Sequence, residues 1–274
     1  MISKKFGFIQ GRLSRTPSPK ILQYFPQKNW KNEIKVAKKN NFSFIEYFGE
    51  RKFNKLNPMW NRKGLREIKS LTKKSKLQNY SFCDDFFINN NILRYKNLDS
   101  YVEKIIKSLN FLSIKIYVLA LFEKTNLTTK NYKNYISTIN YISKKLETNN
   151  IKLVLETNLE TEYLLKLLKS ADNNCHLVYD TGNRLKKKKS QYKEIIKLKK
   201  KIIHIHLKDK NYIGQNVVIG TGKVNFELIF KSLKKINYKG NFVFETNRGK
   251  NPIVTMKNNL KFIRDSAKNA GYKL

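Results

Sequence analysis

Eight short apolar runs alternate with amphipathic helical patterns along this chain of 274 residues. The runs predict strands at 6–10, 42–47, 78–83, 114–120, 151–156, 176–180, 202–206 and 241–245. The patterns between and after them predict helices near 31–40, 63–76, 97–112, 130–149, 160–171, 190–200, 225–236 and 253–270. Each strand is apolar almost throughout, which is typical of a parallel sheet covered by helices.

This alternation predicts an α/β protein, a single (β/α)8 TIM barrel that forms one domain over residues 1–274. Eight β–α units in about 250 residues is the count of that fold. A doubly wound sheet with an extra domain is the competing arrangement, but no linker or change in composition divides the chain. In dinucleotide-binding folds a GxGxxG sequence follows the first strand, and no such sequence follows the first predicted strand here.

The net charge of +37 raises the question of a nucleic-acid partner. Lysine outnumbers arginine 48 to 9, a ratio typical of lysines spread over helix surfaces. A surface that reads phosphates or bases would use the planar fork of arginine more heavily. We therefore expect a small-molecule substrate and no nucleic-acid partner.

Three further features of the sequence bear on where the protein is found. The N-terminus lacks the apolar stretch of a signal peptide, and no segment approaches the ~18 apolar residues that span a bilayer. The two cysteines, Cys83 and Cys175, give no disulfide framework. These features predict a cytoplasmic protein without a membrane partner.

Four of the predicted strands end in a residue that can bind a metal ion: Glu156, Asp180, His206 and Glu245. In a TIM barrel the carboxyl ends of the strands form the active-site face, so these side chains are expected to converge. Carboxylates and an imidazole make a hard, mixed ligand set that suits one divalent ion: Mn²⁺, Mg²⁺, Co²⁺ or Zn²⁺. His204 is predicted to lie one layer deeper as a core histidine, because side chains alternate along a strand.

Acidic residues are scarce in this chain, yet eight of the twenty fall at or just after predicted strand ends: Glu46, Asp84, Asp85, Glu123, Glu156, Asp180, Asp209 and Glu245. Crowding carboxylates at one rim is unfavourable unless a cation holds them. Several of them can instead be helix N-caps or first-turn acids. Within this group, Glu156 and Glu245 could flank a substrate from two sides and act as acid and base.

Several motifs occur in a fixed order along most of the chain. They are Leu155-Glu156-Thr157, Tyr179-Asp180-Thr-Gly-Asn183, His204-Ile-His206-Leu-Lys-Asp209, Gly220-Thr-Gly222-Lys-Val-Asn-Phe226 and Phe244-Glu245-Thr246. In this order and spacing they resemble the xylose isomerase-like TIM barrels, a group of sugar isomerases, epimerases and related metal enzymes. Gly11-Arg12-Leu13-Ser14 and Ile45-Glu46 are similar to a bacterial subgroup of the sugar phosphate isomerase/epimerase type.

The resemblance implies roles for particular residues. Glu156, Asp180, His206 and Glu245 would be the metal ligands, with Glu156 and Glu245 as the catalytic acid/base pair. Asn183, Lys208 and Asp209 would line the substrate pocket. The chain departs from some ketose epimerases of the group, which have a histidine at the place of Asn183 and an arginine where this chain offers Lys208 and Lys210.

Three more residues are predicted to bind substrate. Glu46 could hydrogen-bond sugar hydroxyls, and Arg12 could clamp a carboxylate or a phosphate. Arg248 stands where barrels often bind phosphate, after strands 7 and 8. A helix-start acid is the alternative for Glu46, and a loop-packing arginine is the alternative for Arg12.

The function predicted from this sequence is that of a divalent-metal-dependent isomerase or epimerase. It would act on a sugar or sugar derivative, phosphorylated or not, through proton abstraction and a metal-stabilised enediolate. The alternative is a metal-dependent dehydratase or lyase of a cyclic polyol ketone, because enolate stabilisation is shared. A DNA-repair endonuclease of the same superfamily is disfavoured, since three histidines cannot fill its metal cluster. Related barrels often pair through their rim loops, so a homo-oligomer is compatible with this reading.

Overall fold

A computed structural model describes residues 5–18, 21–187 and 189–274 of the protein. Eight parallel strands close into a barrel in which each strand pairs with its neighbours in chain order and the last pairs with the first. They are β1 (Phe6–Ile9), β2 (Phe44–Gly49), β3 (Gln78–Asp84), β4 (Ile116–Ala120), β5 (Lys152–Glu156), β6 (Cys175–Asp180), β7 (Ile202–Leu207) and, after a hairpin, β10 (Phe242–Phe244). The predicted (β/α)8 TIM barrel is confirmed.

The helices surround this barrel. They are α1 (Trp30–Ala37), α2 (Arg62–Ser75), α3 (Phe86–Asn89), α4 (Leu98–Phe111), α5 (Ile136–Glu147), α6 (Thr161–Ser170), α7 (Gln191–Leu198), α8 (Phe226–Lys235) and α9 (Pro252–Asn269). Each of the eight predicted helices has its counterpart, and the prediction near 130–149 corresponds to a 3-10 turn followed by α5. No helix in the described parts of the chain is long and apolar enough to cross a membrane.

Apart from 3-10 turns, three short elements were not predicted from the sequence. A hairpin of β8 (Asp209–Lys210) and β9 (Asn216–Val217) follows β7, and the single turn of α3 follows β3. Elements of two to four residues are too short to show a period of 2 or 3.6 in their side chains. The hairpin and α3 lie just beyond strand ends on the carboxyl-terminal face of the barrel.

The strand register brings the ends of neighbouring strands to the same level. Asp180 pairs with His206 across β6 and β7, and Val243 pairs with His206 across β7 and β10. The backbone N–H of Glu245 then donates to the carbonyl of Leu207 at 3.1 Å, which continues the ladder one residue beyond β10. The last side chains of these strands therefore lie close together at one rim.

Candidate metal centre

Four side chains meet at the carboxyl ends of β5, β6, β7 and β10. Glu156, Asp180, His206 and Glu245 each offer one ligand atom, and these four atoms lie within 4.8 Å of one another. All four residues are at most 5% exposed. His206 Nδ1 is 2.8 Å from Glu245 Oε2 and 3.5 Å from Glu156 Oε2. The structure thus brings together the four residues that were predicted to bind a metal.

The opposite nitrogen of His206 faces the barrel interior. His206 Nε2 is 3.0 Å from Glu46 Oε1, and the other oxygen of Glu46 is 2.8 Å from His204 Nε2. Ser81 Oγ donates to the same oxygen of Glu46 at 2.7 Å. A carboxylate on one imidazole nitrogen orients the ring and leaves the other nitrogen directed at a metal. Because Glu46 is fully buried below His206, its placement favours this orienting role over contact with a sugar hydroxyl.

Lys208 introduces a positive charge among the carboxylates. Its Nζ lies 2.7 Å from Asp180 Oδ2 and 2.7 Å from Glu245 Oε1, and the residue is 3% exposed. Asp180 Oδ1, the other oxygen, accepts hydrogen bonds from the backbone N–H groups of Gly182 and Asn183 at 2.8 and 2.7 Å. The Asp180 carboxylate is therefore fixed by the turn after β6, with Oδ2 directed at the centre.

Two amide side chains complete the surroundings of the glutamates. Asn183 Nδ2 donates to Glu156 Oε1 at 3.0 Å, and Lys210 Nζ donates to Asn183 Oδ1 at 2.7 Å. Gln23 Nε2 donates to Glu245 Oε1 at 3.0 Å. Gln23 was not predicted, because the loop between β1 and α1 has no periodic pattern that would mark a residue as facing the barrel.

The predicted arginine at the N-terminal loop also reaches this centre. Arg12 is fully buried, and its Nη2 donates to Gln23 Oε1 at 2.6 Å and lies 3.7 Å from Glu245 Oε1. Its Nη1 donates to the carbonyl of Leu22. Arg12 thus supports the segment that carries Gln23, in agreement with the loop-packing alternative, and contributes positive charge beside Glu245.

Two other predicted substrate residues have mainly backbone partners. Asp209 accepts hydrogen bonds from the N–H groups of Gly220, Gly222 and Val224 at 2.9, 2.9 and 3.1 Å, so it organises the loop before α8. Arg248 Nε donates to the carbonyl of Gly11 at 2.7 Å. These contacts place both residues around the centre, in the loops that frame it.

Two other acids at strand ends, Asp84 and Glu123, serve the framework. Asp84 accepts hydrogen bonds from the hydroxyls of Tyr117 and Tyr101 at 2.8 and 3.2 Å. Glu123 forms an exposed ion pair with Arg51 at 2.8 Å. These two carboxylates therefore lie outside the centre and bind neighbouring side chains.

The two glutamates of the centre have opposite pKa shifts. Burial and then the charge of Glu245 raise the pKa of Glu156 to about 8. Burial alone would raise the pKa of Glu245, but the charges of Lys208 and His206 outweigh it and hold that pKa well below its usual range. Two carboxyl groups whose environments separate their pKa values are suited to opposite proton-transfer roles.

The donor set fits a divalent ion. Three carboxylates and an imidazole are ligands that Mn²⁺, Co²⁺ and Zn²⁺ accept. An ion that binds more than four ligands would still have positions open for further oxygen atoms. Within the described residues, His206 Nδ1, Asp180 Oδ2 and Glu245 Oε2 are buried without a hydrogen bond of normal geometry. These atoms lie against one another and against Lys208, and acceptors crowded in this way fit a shared cation.

Replacing Lys208 with Met is expected to strengthen binding of Mn²⁺ by at least about tenfold, because the ammonium group pairs with Asp180 Oδ2, an oxygen that the ion needs, and its charge repels the ion. The same change should lower the melting temperature of the protein in EDTA, since Asp180 and Glu245 lose their shared cation. Competition with a fluorescent chelator measures the first effect, and calorimetry the second.

Lys210→Met is the matched control for this prediction. It removes the same charge from the same region, but Lys210 bonds to an amide oxygen, so Mn²⁺ affinity should change much less. If Lys208→Met weakened Mn²⁺ binding, the ammonium would be holding the ligands in place for the ion instead of competing with it.

Comparison with known proteins agrees with this architecture. A family model described as "Xylose isomerase-like TIM barrel" matches residues 34–266. No curated protein sequence matches the chain. A structure of the IOLI protein with a bound zinc atom has a TM-score of 0.74 and 16% identity, covering 97% of each chain.

Two epimerase structures are similar to a comparable degree. D-psicose 3-epimerase with D-tagatose from Clostridium cellulolyticum H10 has a TM-score of 0.73 and 15% identity, covering 96% of this chain and 100% of that one. The 3-keto-D-glucoside 4-epimerase YcjR from E. coli has the same TM-score, identity and coverage. At such identities the likeness concerns the fold.

Proposed function

The chain belongs to the xylose isomerase-like TIM-barrel family, and on that premise we propose that it is a divalent-metal-dependent isomerase or epimerase of a sugar or sugar derivative. The observation that carries the proposal is the convergence of Glu156, Asp180, His206 and Glu245 within 4.8 Å at the active-site face. These four residues would hold the ion. When bound, it would supply positive charge that stabilises an enediolate.

The protein's own residues provide the proton transfer. Glu156 is the last residue of β5 and Glu245 directly follows β10, with β6 and β7 between the two strands in the barrel. A substrate placed over these strands is therefore flanked by one carboxyl group on each side. One of them takes the proton from the carbon next to the carbonyl, and the other returns a proton to the opposite face or to the neighbouring atom.

Asn183 and Gln23 orient these two groups. Asn183 donates to one oxygen of Glu156 and Gln23 to one oxygen of Glu245, so each glutamate keeps its second oxygen for the ion or the substrate. Burial of the whole centre excludes water from the carbanion-like intermediate. The geometry thus supports repeated protonation and deprotonation of one carbon.

The described activities of similar structures support the substrate class. The similar structure from Clostridium cellulolyticum H10 is described as a D-psicose 3-epimerase, and the one from E. coli as a 3-keto-D-glucoside 4-epimerase. The IOLI structure contains zinc. Each of these is a barrel that covers nearly the whole of this chain. We therefore propose that the substrate of this protein is a sugar ketone or aldehyde, and we assign no particular sugar.

Deuterium uptake tests the proposal. The intact protein, loaded with Mn²⁺, Co²⁺ or Zn²⁺, is incubated in D₂O with panels of ketoses, aldoses, keto-glycosides and their phosphates. We expect one substrate to acquire deuterium at the carbon next to its carbonyl and to yield an isomer or epimer. Loss of water instead would identify a dehydratase, and a metal-loaded protein that exchanges no proton on any member would contradict the proposal.

A further inference from the structure

Asp85 is an acidic residue at the carboxyl-terminal face of the barrel. It directly follows β3, and its backbone N–H donates to the carbonyl of Gly49 at 2.9 Å, so it continues the ladder between β3 and β2 by one residue. It occupies the N-cap position of α3, but its side chain makes no capping hydrogen bond. Secondary structure therefore does not account for its carboxyl group.

The alternation of side chains along β3 shows which way Asp85 points. Ser81 lies on the inner side of the barrel, because its hydroxyl donates to Glu46 at 2.7 Å. Asp84 lies on the outer side, because its carboxylate accepts a hydrogen bond from Tyr101 of α4 at 3.2 Å. Asp85 follows Asp84 and is four residues after Ser81, so its side chain is on the inner side, at the mouth of the barrel.

The carboxyl group of Asp85 is buried without a partner. The residue is 3% exposed, and within residues 5–18, 21–187 and 189–274 its side chain forms no hydrogen bond and no ion pair. Its oxygens are not among the sealed polar atoms of these residues, so they border open space. Burial and then the charge of Glu245 raise the pKa of Asp85 to about 7. A buried carboxylate without hydrogen bonds is costly, and a donor beside it would remove much of that cost.

Asp85 and the candidate metal centre share the mouth of the barrel. Asp85 is close enough to Glu245, Lys208 and Arg12 for their charges to interact with its own. The four candidate ligands lie at the ends of β5, β6, β7 and β10, which are consecutive in the barrel, and β3 lies opposite β7. A molecule that is bound at the centre and extends across the mouth would therefore meet Asp85 on the far side.

From these observations we propose that Asp85 is a substrate-binding residue, which accepts a hydrogen bond from a hydroxyl group on the part of the substrate away from its carbonyl. The identification of this ligand as a sugar rests on the proposed function, whereas the binding of a hydroxyl group by Asp85 does not. An anionic group at the same place would be repelled by the carboxylate. Asp85 thus selects a substrate that carries a neutral hydroxyl at that end.

Melting temperatures test whether Asp85 serves the fold instead. In EDTA at about pH 8, Asp85→Asn should melt at a higher temperature than its control, because nothing in the described protein replaces the lost hydration of the carboxylate. The control is Asp265→Asn, the same change of charge at an exposed position of α9. A lower melting temperature for Asp85→Asn than for the control would show that the carboxylate stabilises the fold, and would overturn the proposal.

Open-chain polyols test binding, because they carry the hydroxyl groups of a sugar and have no carbonyl to be converted. Xylitol, ribitol, D-arabinitol and D-sorbitol are titrated into the metal-loaded protein in a calorimeter. Asp85→Ala should bind the tightest of them at least about tenfold more weakly than the wild type, since a hydrogen bond to a charged group is lost. Asp85→Asn, which keeps one accepting oxygen, should fall between the two, and Asp265→Ala should stay within about twofold of the wild type.

Deoxy derivatives of the tightest polyol locate the contact. Each derivative lacks one hydroxyl group, and the one that lacks the partner of Asp85 should bind the wild type and Asp85→Ala with affinities within about twofold of each other. The other derivatives should still bind Asp85→Ala more weakly than the wild type. Equal losses for all derivatives, or a wild type that binds none of the polyols, would refute a hydroxyl contact with Asp85.

The deuterium-uptake assay separates this inference from the proposed function. On a sugar that exchanges its proton, Asp85→Ala should raise KM at least about tenfold with a smaller change in kcat. Exchange with an unchanged KM would leave the isomerase or epimerase standing and overturn the role of Asp85. Polyol binding that depends on Asp85, without proton exchange on any sugar, would leave the role of Asp85 standing and overturn the function.

Discussion

Glu245→Gln is expected to reduce proton exchange between the substrate and D₂O by about 10²–10⁴-fold, the contribution of a positioned acid or base. The amide that replaces the carboxylate cannot accept a proton from carbon. It does keep the shape of the side chain and one carbonyl oxygen for Gln23. The fold should therefore be preserved, and the loss should appear in the rate of exchange measured by NMR or mass spectrometry.

Two further variants sharpen this prediction. Glu156→Gln should have an effect of the same size, because a mechanism with two acid/base groups fails when either is removed. Glu162→Gln is the control, since Glu162 is an exposed acid on α6 that pairs with Lys197 at the surface. Full activity of Glu245→Gln, with metal content unchanged, would show that Glu245 is not an acid or base.

His206→Ala is expected to remove the metal. The wild type, purified without a histidine tag, should contain about one divalent ion per chain by mass spectrometry. Loss of residues that merely orient metal ligands costs 10–100-fold in affinity, so loss of a ligand should cost more than about 100-fold. After dialysis the variant should contain almost none, and activity should fall with it.

His176→Ala is the matched control for the loss of metal. His176 is near the start of β6, at the opposite end of the barrel from Asp180, and is half-buried beside lysines. This variant should retain the ion. If His206→Ala kept its metal, or if both variants lost it alike, the four-residue centre would not be the binding site. Asp180→Asn gives a second test should His206→Ala fold poorly.

The strand pattern explains why so much of this site could be predicted from the sequence. Glu156, Asp180 and His206 were predicted as ligands because each closes an apolar run in a chain with eight such runs. Parallel strands of a barrel have their carboxyl ends at one face, so the residues at these ends are neighbours for any conformation of the loops. No knowledge of the loops was needed for that inference.

The environment of each ligand could not be predicted in the same way. For Glu46 the sequence offered a sugar hydroxyl or a helix start as partner, and it did not predict the contacts with His204 and His206, which form where side chains of β2 and β7 meet inside the barrel. Gln23 reaches Glu245 across 222 positions of the sequence, from a loop whose conformation no local pattern specifies. Lys208 was expected to line the pocket, and only the structure shows that its ammonium group contacts both Asp180 and Glu245.

The sequence by itself therefore determined the barrel and the four ligand candidates, because both follow from the spacing of apolar residues and from which residues end the strands. The tertiary structure alone decided which partners those candidate ligands have, such as Glu46 beside His206 and Lys208 beside Asp180. Such contacts depend on barrel closure, on strand register and on loops held by single hydrogen bonds, such as those of Asp209 and Arg248 with backbone groups. Interactions between residues far apart in the chain leave no periodic trace in the sequence.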